Sequence, residues 1–253
     1  MAGDFEGSSV IITGAGSGIG RATALMLASR GAKVLVVVII GERAEAVAAE
    51  IGNAGGTSLA VVGDVSEQSV VDRVVSSAVT AHGTVDVLIN NAGIMDTMTA
   101  TDEVSDAEWD RIIAVNLTAP FRMTRAVAPI MLAKGKGAIV NLASVAGLGG
   151  SAAGTAYTVS KHGVVGLTRS SSVMYRGKGV RVNAVAPGAV DTNIGVTPAE
   201  DALGPAVIHA YWPNVSRIAH PDELAAVIAF LASDAASNIT GAIVPVDDGW
   251  GAL

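Results

Sequence analysis

The sequence contains no cysteine among its 253 residues. Disulfide bonds, thiol nucleophiles and thiolate metal sites are therefore excluded, and the composition is typical of a protein from a reducing compartment. The four histidines do not have the spacing of metal ligands, so we expect no metal site and assign them surface or structural roles.

Charged residues are also scarce, at 15% of the chain, and 16 Lys and Arg against 23 Asp and Glu give a net charge of −7. Because there is no basic run, a nucleic acid is not expected as a partner. The longest apolar run, residues 34–40, is too short to cross a bilayer. The opening residues MAGDFEGSS do not have the charged segment and apolar core of a secretory signal. The sequence predicts a soluble, cytoplasmic protein without a membrane partner.

Apolar residues make up 50% of the chain and glycine contributes 30 residues, which favours buried parallel strands packed against helices of small residues. Short apolar runs alternate with amphipathic helical patterns, and no Pro- or Ser-rich linker separates them. We therefore predict one domain over residues 1–253, an α/β fold with a doubly wound, seven-stranded parallel sheet and helices on both faces. The predicted strands are residues 9–12, 34–40, 59–62, 85–89, 138–142, 180–185 and 242–246.

A glycine-rich turn, TGAGSGIG at residues 13–20, follows the first predicted strand and leads into a helical pattern. In this arrangement, backbone N–H groups and a helix N-terminus can bind a pyrophosphate, and glycine allows the phosphates to come close. Because the turn lies in the first strand–helix unit, it predicts a dinucleotide site.

Tyr157 and Lys161 stand four residues apart in a helical segment, so both side chains lie on one helix face. Ser144 follows the predicted strand at residues 138–142. A free tyrosine has a pKa of about 10 and is a poor acid–base catalyst near neutrality unless a cation lowers that value. Lys161 can supply this cation, although a Tyr-x-x-x-Lys pattern alone is common in ordinary helices.

Further motifs occur in order along nearly the whole chain, and together with the features above they resemble the short-chain dehydrogenase/reductase family, in its compact single-domain type. This family has a Rossmann-like fold. The additional motifs are Asp64, the NNAG sequence at residues 90–93, Asn116, the Pro187-Gly188 pair with Thr192, and Asp248-Gly249.

The resemblance implies a role for each of four catalytic residues. Tyr157 would give a proton to the carbonyl oxygen during reduction and take it back during oxidation. Lys161 would lower the pKa of the phenol and bind the nicotinamide ribose, and Ser144 would hydrogen-bond the substrate oxygen. Asn116 would hold a water for a proton relay to Lys161. The alternative for Asn116 is a polar residue that caps or bends the long helix predicted at residues 114–133.

The resemblance also implies NAD or NADP as cofactor. Asp64 would meet the adenine amino group, and the backbone at Val190 and the side chain of Thr192 would hold the carboxamide and a phosphate. For Asp64 the alternative is a turn residue at a strand end, and for the Pro-Gly pair it is a simple turn. The predicted cofactor-binding residues are Gly14, Ser17, Gly18, Ile19, Gly20, Val38, Ile39, Asp64, Val65, Asn91, Ala92, Gly93, Tyr157, Lys161, Pro187, Gly188, Val190 and Thr192.

The end of the second strand departs from the family pattern. Relatives that prefer NAD have an acidic residue there, which accepts hydrogen bonds from the adenosine ribose. This chain instead has Val38, Ile39 and Ile40, and the nearest cation is Arg43. Without the carboxylate, the ribose hydroxyls lose a partner and a 2′-phosphate meets no repulsion. We interpret this as a weakened preference for NAD, with NADP tolerated.

The resemblance places a mobile lid over the substrate at about residues 190–217. Tyr211 and Trp212 of this segment could line an apolar pocket or anchor the lid on the core. No Arg or Lys occurs among the predicted pocket residues, which favours neutral ketones or secondary alcohols over anions. The other predicted pocket residues are Ile94, Met95, Val145, Leu148 and Ala153.

The favoured function is an NAD(P)-dependent carbonyl reductase or secondary-alcohol dehydrogenase. Alternatives within the family are 3-oxoacyl-carrier-protein reductase, sugar dehydrogenase and hydroxysteroid dehydrogenase. A sensor that binds the dinucleotide without turnover is the alternative from another class. By the same resemblance we expect a homotetramer, assembled through the long helices and through the last helix and strand.

Overall fold

The β-branched apolar runs form a parallel sheet in the computed structural model, which describes residues 3–195, 197–199 and 202–252. Within these residues seven strands pair in the order β3-β2-β1-β4-β5-β6-β7, which confirms the predicted sheet. Strands buried on both faces favour apolar residues, and β1 and β5 are buried throughout. The strands are β1 Ser9–Thr13, β2 Lys33–Val38, β3 Thr57–Val62, β4 Val87–Asn90, β5 Gly137–Leu142, β6 Val180–Pro187 and β7 Ile243–Val246.

Helices cover both faces of the sheet because successive strand residues point in opposite directions. Ile12 of β1 packs with Leu27 and Ile228, whereas its neighbour Ile11 packs with Val74 and Val127. The first pair belongs to the helices at residues 18–29 and 221–232, and the second to the helices at residues 68–82 and 119–134. The helices are α1 Gly18–Ser29, α2 Gly41–Asn53, α3 Gln68–His82, α4 Asp106–Ile113, α5 Ala119–Lys134, α6 Thr155–Tyr175, α7 Leu203–His209 and α8 Pro221–Ala232.

The bounds of the predicted strands move by one or two residues, and two differences from the prediction affect the site. The second strand ends at Val38, whose partner Val62 is the last residue of β3, and the helix at residues 41–53 begins three residues later. Ile39 and Ile40 are therefore outside the sheet and are 63% and 44% exposed. The single long helix predicted at residues 114–133 is interrupted by a π-helical turn, Ala114–Thr118, between α4 and α5.

The sheet determines where a ligand can bind. Strand order reverses between β1 and β4, and the loops that leave these strands diverge to opposite faces and leave a crevice at the carboxyl ends. Among the described residues, no helix combines the length and the apolar character that a bilayer crossing requires.

Candidate active site

A cavity of about 920 Å³ lies at the carboxyl ends of the strands, beside the reversal of strand order. All of the residues that the sequence predicts for the cofactor line it. They are Gly14, Ser17, Gly18, Ile19, Gly20, Val38, Ile39, Asp64, Val65, Asn91, Ala92, Gly93, Tyr157, Lys161, Pro187, Gly188, Val190 and Thr192.

The glycine-rich turn is shaped for a group that approaches its backbone closely. Gly14 and Gly18 have φ values of +66° and +49°, in the left-handed region that favours glycine. A Cβ at Gly14 would lie 2.9 Å from the Cα of Ala92, and one at Gly18 would lie 2.9 Å from the Cγ2 of Thr192. α1 begins at this turn, and its N-cap residue Ser17 makes no side-chain capping bond. The free N–H groups at the start of α1 thus fit the pyrophosphate of a dinucleotide.

The loop after β4 is fastened to this turn by hydrogen bonds. Asn91 Nδ2 donates to the carbonyl oxygens of Thr13 and Gly14 at 2.9 and 3.1 Å. In return, Thr13 Oγ1 accepts the backbone N–H groups of Asn91 and Ala92, both at 3.0 Å. The two loops therefore form one wall of the cavity with a fixed backbone.

Ser144 and Tyr157 meet at the opposite wall. Ser144 follows β5 after a single residue, and Tyr157 lies in the first turn of α6 with 8% of its surface exposed. Burial raises the pKa of Tyr157 to about 12; a hydrogen bond with the Ser144 side chain lowers it, and the charge of Asp96 adds to the increase. The phenol is therefore protonated at neutral pH, which is the form that donates a proton.

Lys161 is one turn further along α6 and is buried. Its Nζ donates a 2.8 Å hydrogen bond to the carbonyl oxygen of Leu142 and lies 5.4 Å from the centre of the Tyr157 ring. Burial lowers the pKa of Lys161 to about 8. We expected Lys161 to lower the pKa of the phenol, whereas the pKa of Tyr157 is raised. Burial is the largest cause that acts on Tyr157, so the lowering of its pKa by Lys161 remains a prediction.

Asn116 lies in the π-helical turn and is buried behind the cavity wall. Its Oδ1 accepts the N–H of Ile94, and its Nδ2 donates to Ile94 O, both at 2.9 Å. Nδ2 also donates to Ser160 Oγ at 3.2 Å. These contacts hold the loop after β4 against α6. The relay water predicted at Asn116 remains a prediction.

The substrate end of the cavity only partly matches the prediction. Ile94, Met95, Val145 and Trp212 line it, whereas Leu148, Ala153 and Tyr211 do not. Leu148 and Tyr211 are 42% and 44% exposed. Ala153 packs beneath Tyr157 with Ala146. Of the predicted lid, Val196, Glu200 and Asp201 lie outside the described residues, and the rest includes α7 and a short turn, Trp212–Asn214.

Several lining residues were missed by sequence reasoning. Arg111 lines the cavity, although no Arg or Lys was among the predicted substrate-pocket residues. Trp250 also lines the cavity, and its place directly after the Asp248-Gly249 motif was the signal available for it. Further unpredicted lining residues include Met98, Val115, Ala152, Asn193, Ile194, Val215 and Ile218.

At the ribose end, apolar side chains replace an acid. Val38 and Ile39 line the cavity together with Arg43, whose Cβ lies 3.0 Å from where a Cβ at Gly16 would be. Asp64 is the only carboxylate among the described residues that line the cavity. The side chain of Arg43 thus starts beside the glycine-rich turn, at the end of the cavity where the ribose of a dinucleotide would lie.

Comparisons with known proteins agree with this geometry. The model of a family described as short chain dehydrogenase matches residues 8–202. A cis-4-hydroxycyclohexanecarboxylate dehydrogenase from Sinomonas cyclohexanicum is 42% identical, with 96% of each chain covered. A cyclohexanol dehydrogenase from Acinetobacter sp. (strain SE19) is 40% identical over 99% of this chain and 97% of that protein. A solved structure from Beutenbergia cavernae with bound NADP at low occupancy has a TM-score of 0.86 and 41% identity, and covers 98% of both chains.

Proposed function

The chain belongs to the short-chain dehydrogenase/reductase family, and from this premise we propose that it is an NAD(P)-dependent enzyme that interconverts a secondary alcohol and its ketone, with Tyr157 as acid and base. One observation carries the proposal. The hydroxyl groups of Ser144 and Tyr157 meet on one wall of a cavity whose other wall is the glycine-rich turn.

Each polar side chain at this wall has a task in the proposed reaction. During reduction, Tyr157 donates its proton to the carbonyl oxygen, and Ser144 donates a hydrogen bond where negative charge develops. Lys161 places a buried ammonium group beside Tyr157, which favours the phenolate that remains. The bound nicotinamide supplies or accepts the hydride. The reverse reaction, alcohol oxidation, requires a deprotonated Tyr157.

We propose an alicyclic substrate without charge. The substrate end of the cavity presents Met95, Val145, Trp212, Ile218 and Trp250, which are mainly apolar and offer a polar substrate only the two indole N–H groups. Two of the relatives are named for alcohols on a six-membered ring, one neutral and one with a carboxylate. Because Arg111 also lines the cavity, the charge of the substrate is the feature to test.

The decisive experiment compares cyclohexanol with cis-4-hydroxycyclohexanecarboxylate as substrates, each with NAD and with NADP. We expect turnover of cyclohexanol with both cofactors and a lower kcat/KM for the carboxylate. Turnover of the carboxylate alone, lost on Arg111→Met, would replace the neutral class by an anionic one. No turnover of any secondary alcohol with either cofactor would contradict the proposal as a whole.

For the cofactor, we propose that NADP is used at least as well as NAD. The apolar residues Val38 and Ile39 offer no carboxylate to the ribose hydroxyls of NAD and do not repel a 2′-phosphate. Arg43 lies in the first turn of α2, whose N-cap Ile40 makes no side-chain capping bond. A cation and free N–H groups at one helix start favour a phosphate.

We also propose a homotetramer. The resemblance to the family implies assembly through the long helices and the last helix. In the structure these helices carry large apolar side chains that are exposed. They are Phe121 on α5, Val159, Val173 and Met174 on α6, and Phe230 on α8, with exposures between 41% and 67%. Apolar side chains at this exposure support an interface between copies of the chain.

Trp250 is expected to limit the size of the substrate. The turn that carries it is held by Asp247, which accepts the N–H groups of Gly249 and Gly251 at 3.1 and 2.8 Å. Arg217 lies 3.6 Å from Asp248, so this turn is also tied to the end of the lid. Trp250→Ala should raise kcat/KM for a bulky bicyclic ketone relative to cyclohexanone by about tenfold or more.

Trp109→Ala is the matched control for this change, because Trp109 lies on α4, is 38% exposed and is not among the residues that line the cavity. The ratio of the two ketones should be the same for Trp109→Ala and the parent. An equal ratio for Trp250→Ala and the parent would show that Trp250 does not contact the substrate.

A further inference from the structure

Asp96 is a buried carboxylate that connects two parts of the cavity wall. It is 2% exposed and lies in the loop between β4 and α4. Its Oδ1 accepts the backbone N–H groups of Met98 and Gly154 at 3.1 and 3.2 Å. Its Oδ2 accepts the backbone N–H of Tyr157 at 2.9 Å. One side chain therefore binds its own loop and the start of α6.

The start of α6 needs this partner because it has no cap of its own. The N-cap residue is Gly154, which has no side chain to accept the first N–H groups of the helix. A carboxylate at this end is also favoured by the helix dipole. A Cβ at residue 154 would lie 2.7 Å from both Asp96 Oδ2 and Met98 Cα, so glycine is required for the carboxylate to reach the helix.

We propose that Asp96 is a positioning residue for the reaction, one that fixes the backbone of Tyr157 and ties the adjoining loop to the catalytic helix. This inference rests on the proposed function of Tyr157. The role of Asp96 also accounts for the unusual backbone of Met98, which lines the cavity and has a φ of +60°. The N–H of Met98 donates to the same carboxylate. A left-handed backbone at a non-glycine residue persists only where neighbouring contacts enforce it.

The charge of Asp96 acts on Tyr157 in addition to its geometry. Burial is the main reason that the pKa of Tyr157 is raised, and the negative charge of Asp96 raises this pKa further. The other charged groups that face the pair, within the described part of the chain, are Glu108 on α4 and Lys161 on α6. Removing the charge should thus lower the pKa of Tyr157, whereas a purely structural role would leave it unchanged.

The test uses Asp96→Asn in the full-length enzyme, with alcohol oxidation measured from neutral to alkaline pH at saturating cofactor. Asparagine keeps one oxygen for Met98 and Gly154 but places an NH₂ group against the N–H of Tyr157. We expect kcat to fall by about tenfold to a hundredfold with little change in KM, because misplacement of the reacting group has this effect. The rising limb of the pH profile, which reports phenolate formation, should move to lower pH.

Asp86→Asn is the matched control. Asp86 accepts the N–H of Ser9 at 2.7 Å and pairs with Lys134. It lies at the amino ends of the strands, away from the cavity at their carboxyl ends. Its loss should reduce thermal stability without moving the pH profile. If the pH profile of Asp96→Asn coincides with that of the parent, the inference is overturned. The proposed function still stands in that case if Tyr157→Phe is inactive in the same assay. Activity in Tyr157→Phe would instead contradict the proposed function.

Gly154→Ala gives a second test that does not depend on the folding of Asp96→Asn. The added Cβ displaces the carboxylate from the start of α6 but leaves its charge in place. We expect kcat to fall without a shift of the rising limb to lower pH. Full activity of Gly154→Ala would contradict the positioning role.

Discussion

Replacing Tyr157 by phenylalanine should lower kcat/KM for alcohol oxidation by about 10³-fold or more. General acid–base catalysis by a positioned side chain contributes about 10² to 10⁴-fold, and no other titratable hydroxyl lies at this wall of the described structure. The phenol is not among the groups that shape the glycine-rich turn, so cofactor affinity, measured by fluorescence titration with NADPH, should be nearly unchanged.

Tyr175→Phe is the control for this prediction. Tyr175 is the last residue of α6, the same helix, and does not line the cavity in the described part of the chain. It should keep parental kinetics. Turnover by Tyr157→Phe at a rate near the parent's would mean that another group, with Lys161 the first candidate, moves the proton. Loss of both turnover and cofactor binding would indicate a structural role for the phenol.

The nucleotide half of the site was predictable from the sequence because its geometry is dictated by backbone. Gly14 and Gly18 adopt left-handed conformations that the glycine-rich turn already implied. Asp64 and Asn91 follow the ends of strands, and parallel strands bring such positions to one edge. Sequence order therefore determines spatial proximity there, and the residues assigned to the cofactor all reach one cavity.

The substrate half was less predictable because it is built from irregular segments. Tyr211 and Trp212 are neighbours, yet only Trp212 lines the cavity, and no periodicity in the lid indicates which one turns inwards. Trp250 reaches the cavity because Asp247 and Asp248 hold a turn at the far end of the chain. Contacts between distant segments of this kind are determined by tertiary packing, which local pattern does not report.

Polar groups whose partners are backbone N–H groups were also missed. Nothing in the sequence distinguishes Asp96 from an exposed loop residue, because its three partners become known only with the fold. The same is true of the π-helical turn at Asn116. One extra residue in that turn sets the direction of the Asn116 side chain, which bonds Ile94 and Ser160.

The ribose end allows the most direct test of cofactor choice. Val38 is only 8% exposed but lines the cavity at the end of β2, so a carboxylate at position 38 would lie at the cavity wall near the ribose. Such a carboxylate could accept hydrogen bonds from two ribose hydroxyls of NAD. It would also repel the 2′-phosphate of NADP, to which Arg43 is the nearest cation on this segment.

Val38→Asp should therefore lower the ratio of kcat/KM with NADP to kcat/KM with NAD by about 10² to 10³-fold. Two unit charges about 4 Å apart interact with roughly 4 kcal/mol near a protein surface, and each 1.4 kcal/mol is about tenfold. Val62→Asp is the matched control, because Val62 is the cross-strand partner of Val38 and does not line the cavity. The ratio of NADP to NAD efficiency should change much less for Val62→Asp.

Arg43→Ala should reduce kcat/KM with NADP alone. The contrary result is a parent enzyme that strongly prefers NAD and a ratio of NADP to NAD efficiency that Val38→Asp does not alter. It would show that Val38 and Ile39 shape the adenosine site without setting its charge preference.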